Sequence, residues 1–461
     1  MNINKQRQIF FAKQAWLATG WQENVLFHVE NGMITELAIN QMATADSLVL
    51  SGPVLPSMPN LHSHAFQRVM AGMAEVSLNP NDSFWSWRDL MYKVVQKLTP
   101  EDVRIIATQL YIDLLKAGYT QIAEFHYLHH QVGGKPYQDT AEMSHQMIQA
   151  ANDAGIGITL LPVLYSHSGF GGQAANNGQA RFIHSTEDYL QLFASCEQAL
   201  QDQPLHKLGV CFHSLRAVTK VQIETVLDAI KSACPIHIHI AEQQKEVRDC
   251  LAWSSQRPVQ WLHNEIGFDA RWCLVHATHL DSQEIQTIAQ QKAVAGLCPT
   301  TEANLGDGIF PATEFEQANG RWGIGSDSHV SLSLVEELRT LEYSQRLRDQ
   351  QRNRLHRPSQ ARIGDNLYQQ ALLGGNQACQ VSIGLQEHHR ADFIVLDENA
   401  PFVAASQAKD LLNRWLFACN DNLIKDVYVA GNAVIKDFHH AEEEQHKADF
   451  IKVVKKVMYD S

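Results

Sequence analysis

The sequence contains no Cys-x-x-Cys pair. Its eight cysteines stand singly at Cys196, Cys211, Cys234, Cys250, Cys273, Cys298, Cys379 and Cys419, which argues against a disulfide framework and a thiolate zinc site and fits a reducing cytoplasm. No basic run or basic-aromatic stripe occurs. With 37 basic against 50 acidic residues the formal net charge is -13, so neither nucleic acid nor an anionic membrane is the expected partner. Local cations could still hold an acidic small molecule. No apolar run approaches membrane-spanning length, and Ile9-Phe10-Phe11-Ala12, cut by Lys13, is too short for the apolar part of a signal peptide. No internal repeat or long low-complexity segment stands out. A soluble, cytoplasmic protein is expected.

The 461 residues, 45% of them hydrophobic, suffice for one large domain and a smaller one. From about residue 54 to 327, short β-branched segments alternate with longer amphipathic ones, the pattern of βα units around a parallel sheet. Eight strands are predicted: Val54 to Leu61, Thr120 to His126, Gly157 to Leu164, Leu208 to His213, Ile236 to Ile240, Trp272 to His276, Ala293 to Cys298 and Arg321 to Ser326. Helix-like stretches lie between them, such as Asp102 to Ala117 and Val221 to Ser232. Eight units imply an α/β fold of the (β/α)8 TIM-like barrel type, spanning 54–384. The flanking segments 1–53 and 385–461 read as short strands, including Gly32 to Ala38, Ala391 to Asp397 and Val427 to Ile435, that pair into one small β-sandwich domain. Phe450, Val453, Val454 and Val457 at helical spacing predict a closing amphipathic helix packed on the body. Gly169 to Gly178, rich in Gly, Asn and Gln, should form a mobile loop near the barrel mouth.

Directly after the apolar stretch Val54 to Pro59 comes Leu61-His62-Ser63-His64. In an extended segment residues two apart point the same way, so His62 and His64 can present imidazole nitrogens to one ion. Two later strand ends add His239 and Glu242, in Pro235 to Gln243, and Asp327, in Gly323 to His329. His62, His64, His239 and Asp327 together suit Zn2+ or another borderline divalent ion with a position left for water, and such an ion makes hydroxide available near neutral pH. His237 faces the same side as His239 one layer deeper and reads as a buried barrel histidine. Glu242, just past the strand end, could shuttle protons between attacking water and leaving group. His276, ending the sixth strand, could polarise the water or the electrophile; His279 reads as loop surface.

The strand-one His-x-His, the strand-five His-x-x-Glu, the strand-six His276 and the strand-eight Asp327 resemble the amidohydrolase superfamily, and more narrowly its mononuclear deaminase branch. The resemblance implies one metal ion per chain, since that branch lacks the bridging lysine of dinuclear relatives and strand four, Lys207 to Arg216, carries no lysine beyond its start. Met58 to Arg68, Ser83 to Tyr92, Glu124 to Tyr127, His237 to Gln243 and Cys298 to Gly308 together are similar to the formimidoylglutamate deiminases, over most of the chain from about residue 50. That resemblance implies a dianionic amidine substrate, a likeness of Arg88 and Arg216 to carboxylate-binding arginines, and added hydrogen bonds from Gln67, Tyr127 and His213. It implies hydrolysis in which Asp327, helped by His276, deprotonates the attacking water and Glu242 protonates the departing nitrogen, with Zn2+ as cofactor and a homodimer as the assembly. Two rivals stay open: a deaminase of a purine, pterin or triazine ring, and a barrel that has lost catalysis and serves assembly.

Overall fold

The computed structural model describes residues 7–76 and 84–459; Ser83 and the side chains of Phe84, Trp85 and Ser86, part of the aromatic segment noted above, lie outside the described residues. Eight parallel strands succeed one another in chain order: Met58–Ser63, Tyr119–His126, Gly157–Leu164, Val210–Ser214, Ile236–Ile240, Trp272–His276, Val294–Leu297 and Arg321–Ile324. Nearly every residue in them is buried, as strands covered on both faces require. The seam between the last and first strands closes at one spot. There the Asp327 N–H donates to the His62 carbonyl at 3.0 Å and the His64 N–H to the Asp327 carbonyl at 3.2 Å. The barrel is therefore joined by the backbone of the residues singled out as metal ligands.

The helix Pro100–Lys116 illustrates how the outer layer is specified. Its start carries a proline in the first turn and Thr99, whose hydroxyl accepts from the Asp102 N–H at 3.2 Å, satisfying one of the free N–H groups of a helix end. Val103, Ile106, Leu110 and Leu114 recur on one face and are buried against the barrel. Gly118 then turns the chain into the second strand at φ +94, where an added Cβ would stand 2.8 Å from the Ile424 side chain. Gly374 lets the helix Ile363–Cys379 approach the eighth strand so closely that a Cβ there would lie 1.9 Å from the Trp322 carbonyl oxygen.

The chain ends form a second, mixed sheet. Gln8–Leu17 pairs antiparallel with Gly20–Glu30 and parallel with Val54–Pro56, which in turn pairs antiparallel with Phe393–Leu396. The extended run expected as one barrel strand, Val54 to Leu61, is thus two strands in two sheets. The chain changes partners at Ser57, whose N–H donates to the Asp392 carbonyl at 3.2 Å, while the next N–H, of Met58, donates to Gly118 at 2.9 Å. Val427 to Ile435 is likewise a hairpin, Ile424–Val429 and Asn432–Lys436, turning through Ala430 and Gly431 at positive φ. The closing helix, Glu443–Met458, docks on Pro100–Lys116 through buried Val453 and Val457 and through ion pairs Lys116–Glu443 and Lys456–Asp102, both 2.8 Å.

Candidate active site

The side chains of interest stand at the C-terminal ends of the barrel strands, the end where this architecture collects its reactive groups. On the first strand the two-residue period turns His62 and His64 to one side, with ring centroids 4.6 Å apart. Ser63 between them turns the other way and donates to Glu124 at 2.6 Å. Glu124 also accepts from the Ala65 N–H and the Tyr111 hydroxyl, and burial pushes its carboxyl up to about 7 against these three bonds. From the fifth strand His239 joins the pair, its Nε2 3.1 Å from that of His62. Asp327 completes the group, with Oδ1 3.4 Å from Nε2 of both His62 and His64.

These atoms fit a divalent ion. Nδ1 of His64 donates to the Phe125 carbonyl at 2.8 Å and Nδ1 of His239 to the His213 carbonyl at 2.9 Å, which leaves their Nε2 atoms unprotonated and turned to the common centre. Burial holds His62, His64 and His239 below the usual imidazole range, so they are neutral as ligands must be. Ligand atoms of His62, His64 and His239, and of His62, His276 and Asp327, lie within 4.8 Å of one another. Facing nitrogens 3.1 Å apart in a buried place are what a cation between them would relieve.

His276, stacked on His239 at 11° between planes, presents Nε2 to Asp327 Oδ2 at 3.8 Å and to Glu242 Oε1 at 4.0 Å. Burial raises the Glu242 carboxyl above its ordinary range, although His276 and Arg216 pull it down. His64, Gln67, Arg88, Tyr127, His213, Arg216, His239, Glu242, His276 and Asp327 line one cavity, so the structure brings together every site residue expected from the sequence, with His62 buried beneath. Nε of Arg216 is buried there without a hydrogen-bond partner, and so is Oε1 of Gln67, whose amide nitrogen donates to the Tyr127 hydroxyl at 2.8 Å.

Residues 54–434 match the amidohydrolase family. The chain belongs to that family. Formimidoylglutamate deiminase of Pseudomonas aeruginosa is 58% identical over 447 residues, covering 96% of this chain and 98% of that protein. The crystal structure of an amidohydrolase from Brucella melitensis is 44% identical and matches with a TM-score of 0.93 over 98% of this chain and 100% of the other. A zinc-bound adenosine deaminase from Xanthomonas campestris, 19% identical, shares the fold with a TM-score of 0.81 over 98% of each chain.

Several walls of this amidohydrolase's cavity escape the sequence reading. Trp87 lines it next to Arg88, and Met91 and Tyr92 line it three and four residues after Arg88 along the helix Phe84–Val95, a spacing that marks one helix face. Tyr165, first residue past the third strand, and Phe182 form another wall; only the strand-end position of Tyr165 was a signal. In Gly169 to Gly178, expected as a mobile loop, Phe170 stacks on Trp253 at 5.4 Å, and just beyond it Gln179 donates to the Tyr165 hydroxyl at 2.7 Å. His279 is not loop surface. It is half-buried, with Nε2 donating to the Asp307 carbonyl at 2.7 Å and Nδ1 accepting from Gln244 at 2.8 Å. His237 is the structural histidine expected, bonded to the Ala378 carbonyl at 2.8 Å.

Proposed function

We propose that this amidohydrolase hydrolyses the terminal C–N bond of N-formimidoyl-L-glutamate, releasing ammonia and leaving N-formyl-L-glutamate. The observation that carries the reading is the placement of Arg88 and Arg216 on the cavity that also holds Glu242, His276 and Asp327, with the Arg216 Nε buried and unpaired. A buried guanidinium nitrogen without an acceptor is costly unless a ligand supplies one, and a dicarboxylate supplies two anions for two arginines. The Pseudomonas aeruginosa relative supports the same substrate.

His62, His64, His239 and Asp327 are the proposed holders of one ion per chain, zinc by the donor set. When bound, the ion supplies Lewis acidity that brings the pKa of water near neutrality. The chain's own groups do the rest. Arg88 and Arg216 fix the glutamyl carboxylates, and the Gln67 amide oxygen accepts from the formimidoyl N–H. Asp327 Oδ2 takes the proton of the attacking water, with His276 Nε2 at 3.8 Å to share it. Glu242 then delivers a proton to the terminal nitrogen, so the nitrogen within its reach departs as ammonia. The same reading makes the enzyme a cytoplasmic homodimer. Among the described residues no helix is long and apolar enough to cross a membrane.

Ammonia release measured side by side with N-formimidoyl-L-glutamate, guanine, cytosine and adenosine tests the substrate. Turnover of a ring base and none of the amidine would return the ring deaminases to first place, and metal binding without any turnover would favour an inactive barrel.

A further inference from the structure

The chemistry above assigns no role to Glu302, on the short helix Pro299–Leu305 that follows the seventh strand. Its side chain is buried, and its Oε1 faces Nδ1 of His276 at 3.2 Å while accepting from the Cys298 N–H at 2.8 Å. The ring of His276 has two faces and two edges to be fixed. Stacking on His239 fixes the faces but leaves two ring flips about the last side-chain torsion, which is broad and roughly two-fold for histidine. The flipped ring would turn carbon atoms where Nδ1 and Nε2 now stand. Only the orientation with Nδ1–H on Glu302 keeps Nε2 toward Glu242 and Asp327. The backbone of His276 adds to the constraint, lying at φ +65.

We propose that Glu302 is a positioning residue for the deimination, accepting from a proton-bearing Nδ1 of His276 and so presenting Nε2 to the reacting groups. This rests on the proposed function for its kinetic consequence but not for its geometry. The Cys298 N–H anchors the very oxygen that His276 uses, so the acceptor is itself held in place, and an orienting partner on a metal-bound histidine, the nearest comparison for His276, is worth about 10- to 100-fold in affinity or activity.

The experiment compares Glu302→Gln, which keeps an oxygen acceptor of the same length, with Glu302→Leu, which keeps size and removes it. In the metal-loaded full chain, kcat for N-formimidoyl-L-glutamate is expected to fall by about 10- to 100-fold in Glu302→Leu with KM changed less than about threefold, and by less than about tenfold in Glu302→Gln. A purely structural role would instead lower thermal stability in both and leave the kcat to KM split unaltered. Independently of turnover, proton and 15N spectra of histidine-labelled protein, with His276 assigned by comparison with His276→Gln, should show a slowly exchanging Nδ1–H in wild type and Glu302→Gln and its loss in Glu302→Leu. An unchanged Nδ1–H in a folded Glu302→Leu overturns the proposal. Absence of wild-type turnover with the Nδ1–H pattern as expected would instead sink the substrate assignment and leave the positioning intact.

Discussion

Arg216 stands just past the fourth barrel strand, on a turn that is braced from two sides. The Ala217 N–H donates to the Ser214 carbonyl at 2.9 Å, and the Ala217 carbonyl accepts from the N–H groups of Ser166 and His167 at 2.9 and 3.0 Å. The backbone that carries Arg216 is therefore set before substrate arrives. Burial works against its charge, but the carboxylates of Glu246 and Glu242 outweigh burial and hold its pKa above the ordinary value. Replacing it in Arg216→Met leaves one substrate carboxylate without its cation. Losing a charge-assisted contact in a desolvated place costs about 2 to 5 kcal/mol. Because Arg216 is only partly buried, the lower end applies, and about 2 kcal/mol corresponds to roughly thirtyfold in kcat/KM. The substitution also removes a positive neighbour of Glu242, which would hold its proton more tightly, so a drop in rate alone would not identify the contact. N-formimidoyl-glycine separates the two effects, since it lacks the side-chain carboxylate but needs the same proton from Glu242. Ammonia release should show a smaller loss on the glycine analogue than on the full substrate in one of Arg216→Met and Arg88→Met, and that variant marks the arginine serving the distal carboxylate. Wild-type kcat/KM in both variants on the dianionic substrate would refute the glutamate pocket.

Asp327→Asn, which removes the acceptor of the water's proton, and Glu242→Gln, which removes the donor to the departing nitrogen, both at unchanged size, should each lower kcat by about 10² to 10⁴ with the fold unchanged, and near wild-type kcat in a variant with confirmed metal would refute the role. Elemental analysis of desalted protein should find one divalent ion per chain; two ions, or full activity with none, would overturn the single centre. Burial raises Glu443, but Lys116, His439 and the His440 N–H outweigh it and bring its pKa to about 2; Asp102, raised by burial, is likewise held low by Lys456 and Thr99. Carboxylates lowered in the folded state stabilise above their ordinary range and stop doing so as pH falls through the folded value, so protection against hydrogen exchange in Glu443–Met458, relative to the unstructured rate, should fall between about pH 4 and 2, and constant protection across that window would refute the docking role of these pairs. Gly374→Ala forces a methyl into the Trp322 carbonyl and should lower stability by about 1 to 3 kcal/mol in denaturant unfolding; an unshifted midpoint would mean the helix can withdraw freely.

The ligand set was legible because two regularities coincide in it. Strand periodicity of two turns His62 and His64 to one side, and the alternation of strands with helices places His239, His276 and Asp327 at equivalent ends. What escaped the sequence depended on partners far along the chain. The split at Ser57 requires Asp392 to offer a carbonyl to one N–H and Gly118 to offer one to the next, and nothing in Val54 to Leu61 itself announces that exchange. Tyr165 and Phe182 reach the cavity through loop geometry, which carries no period. Glu302 sits in the first turn of a short helix, where an acidic residue is ordinary, and its contact with His276 becomes visible only when the sixth and seventh strands lie side by side.

The closure of the barrel and the gathering of the proposed metal ligands share the same residues. The main chain of Asp327 completes the seam with His62 and His64, and their side chains converge on the cavity side of that seam. An ion that binds the folded chain and not the unfolded one shifts stability by mass action, and here it would do so across a junction that, among the described residues, is joined by a single bridge, Ser63 with Asp327. Glu124 backs this junction from behind, holding Ser63 and the Ala65 N–H while His64 reaches the Phe125 carbonyl beside it. His62, His64 and Asp327, proposed above as metal holders, are therefore also the residues that keep the first strand against the eighth, and the left-handed backbone of Asp327 is held there by hydrogen bonds on both sides of the junction.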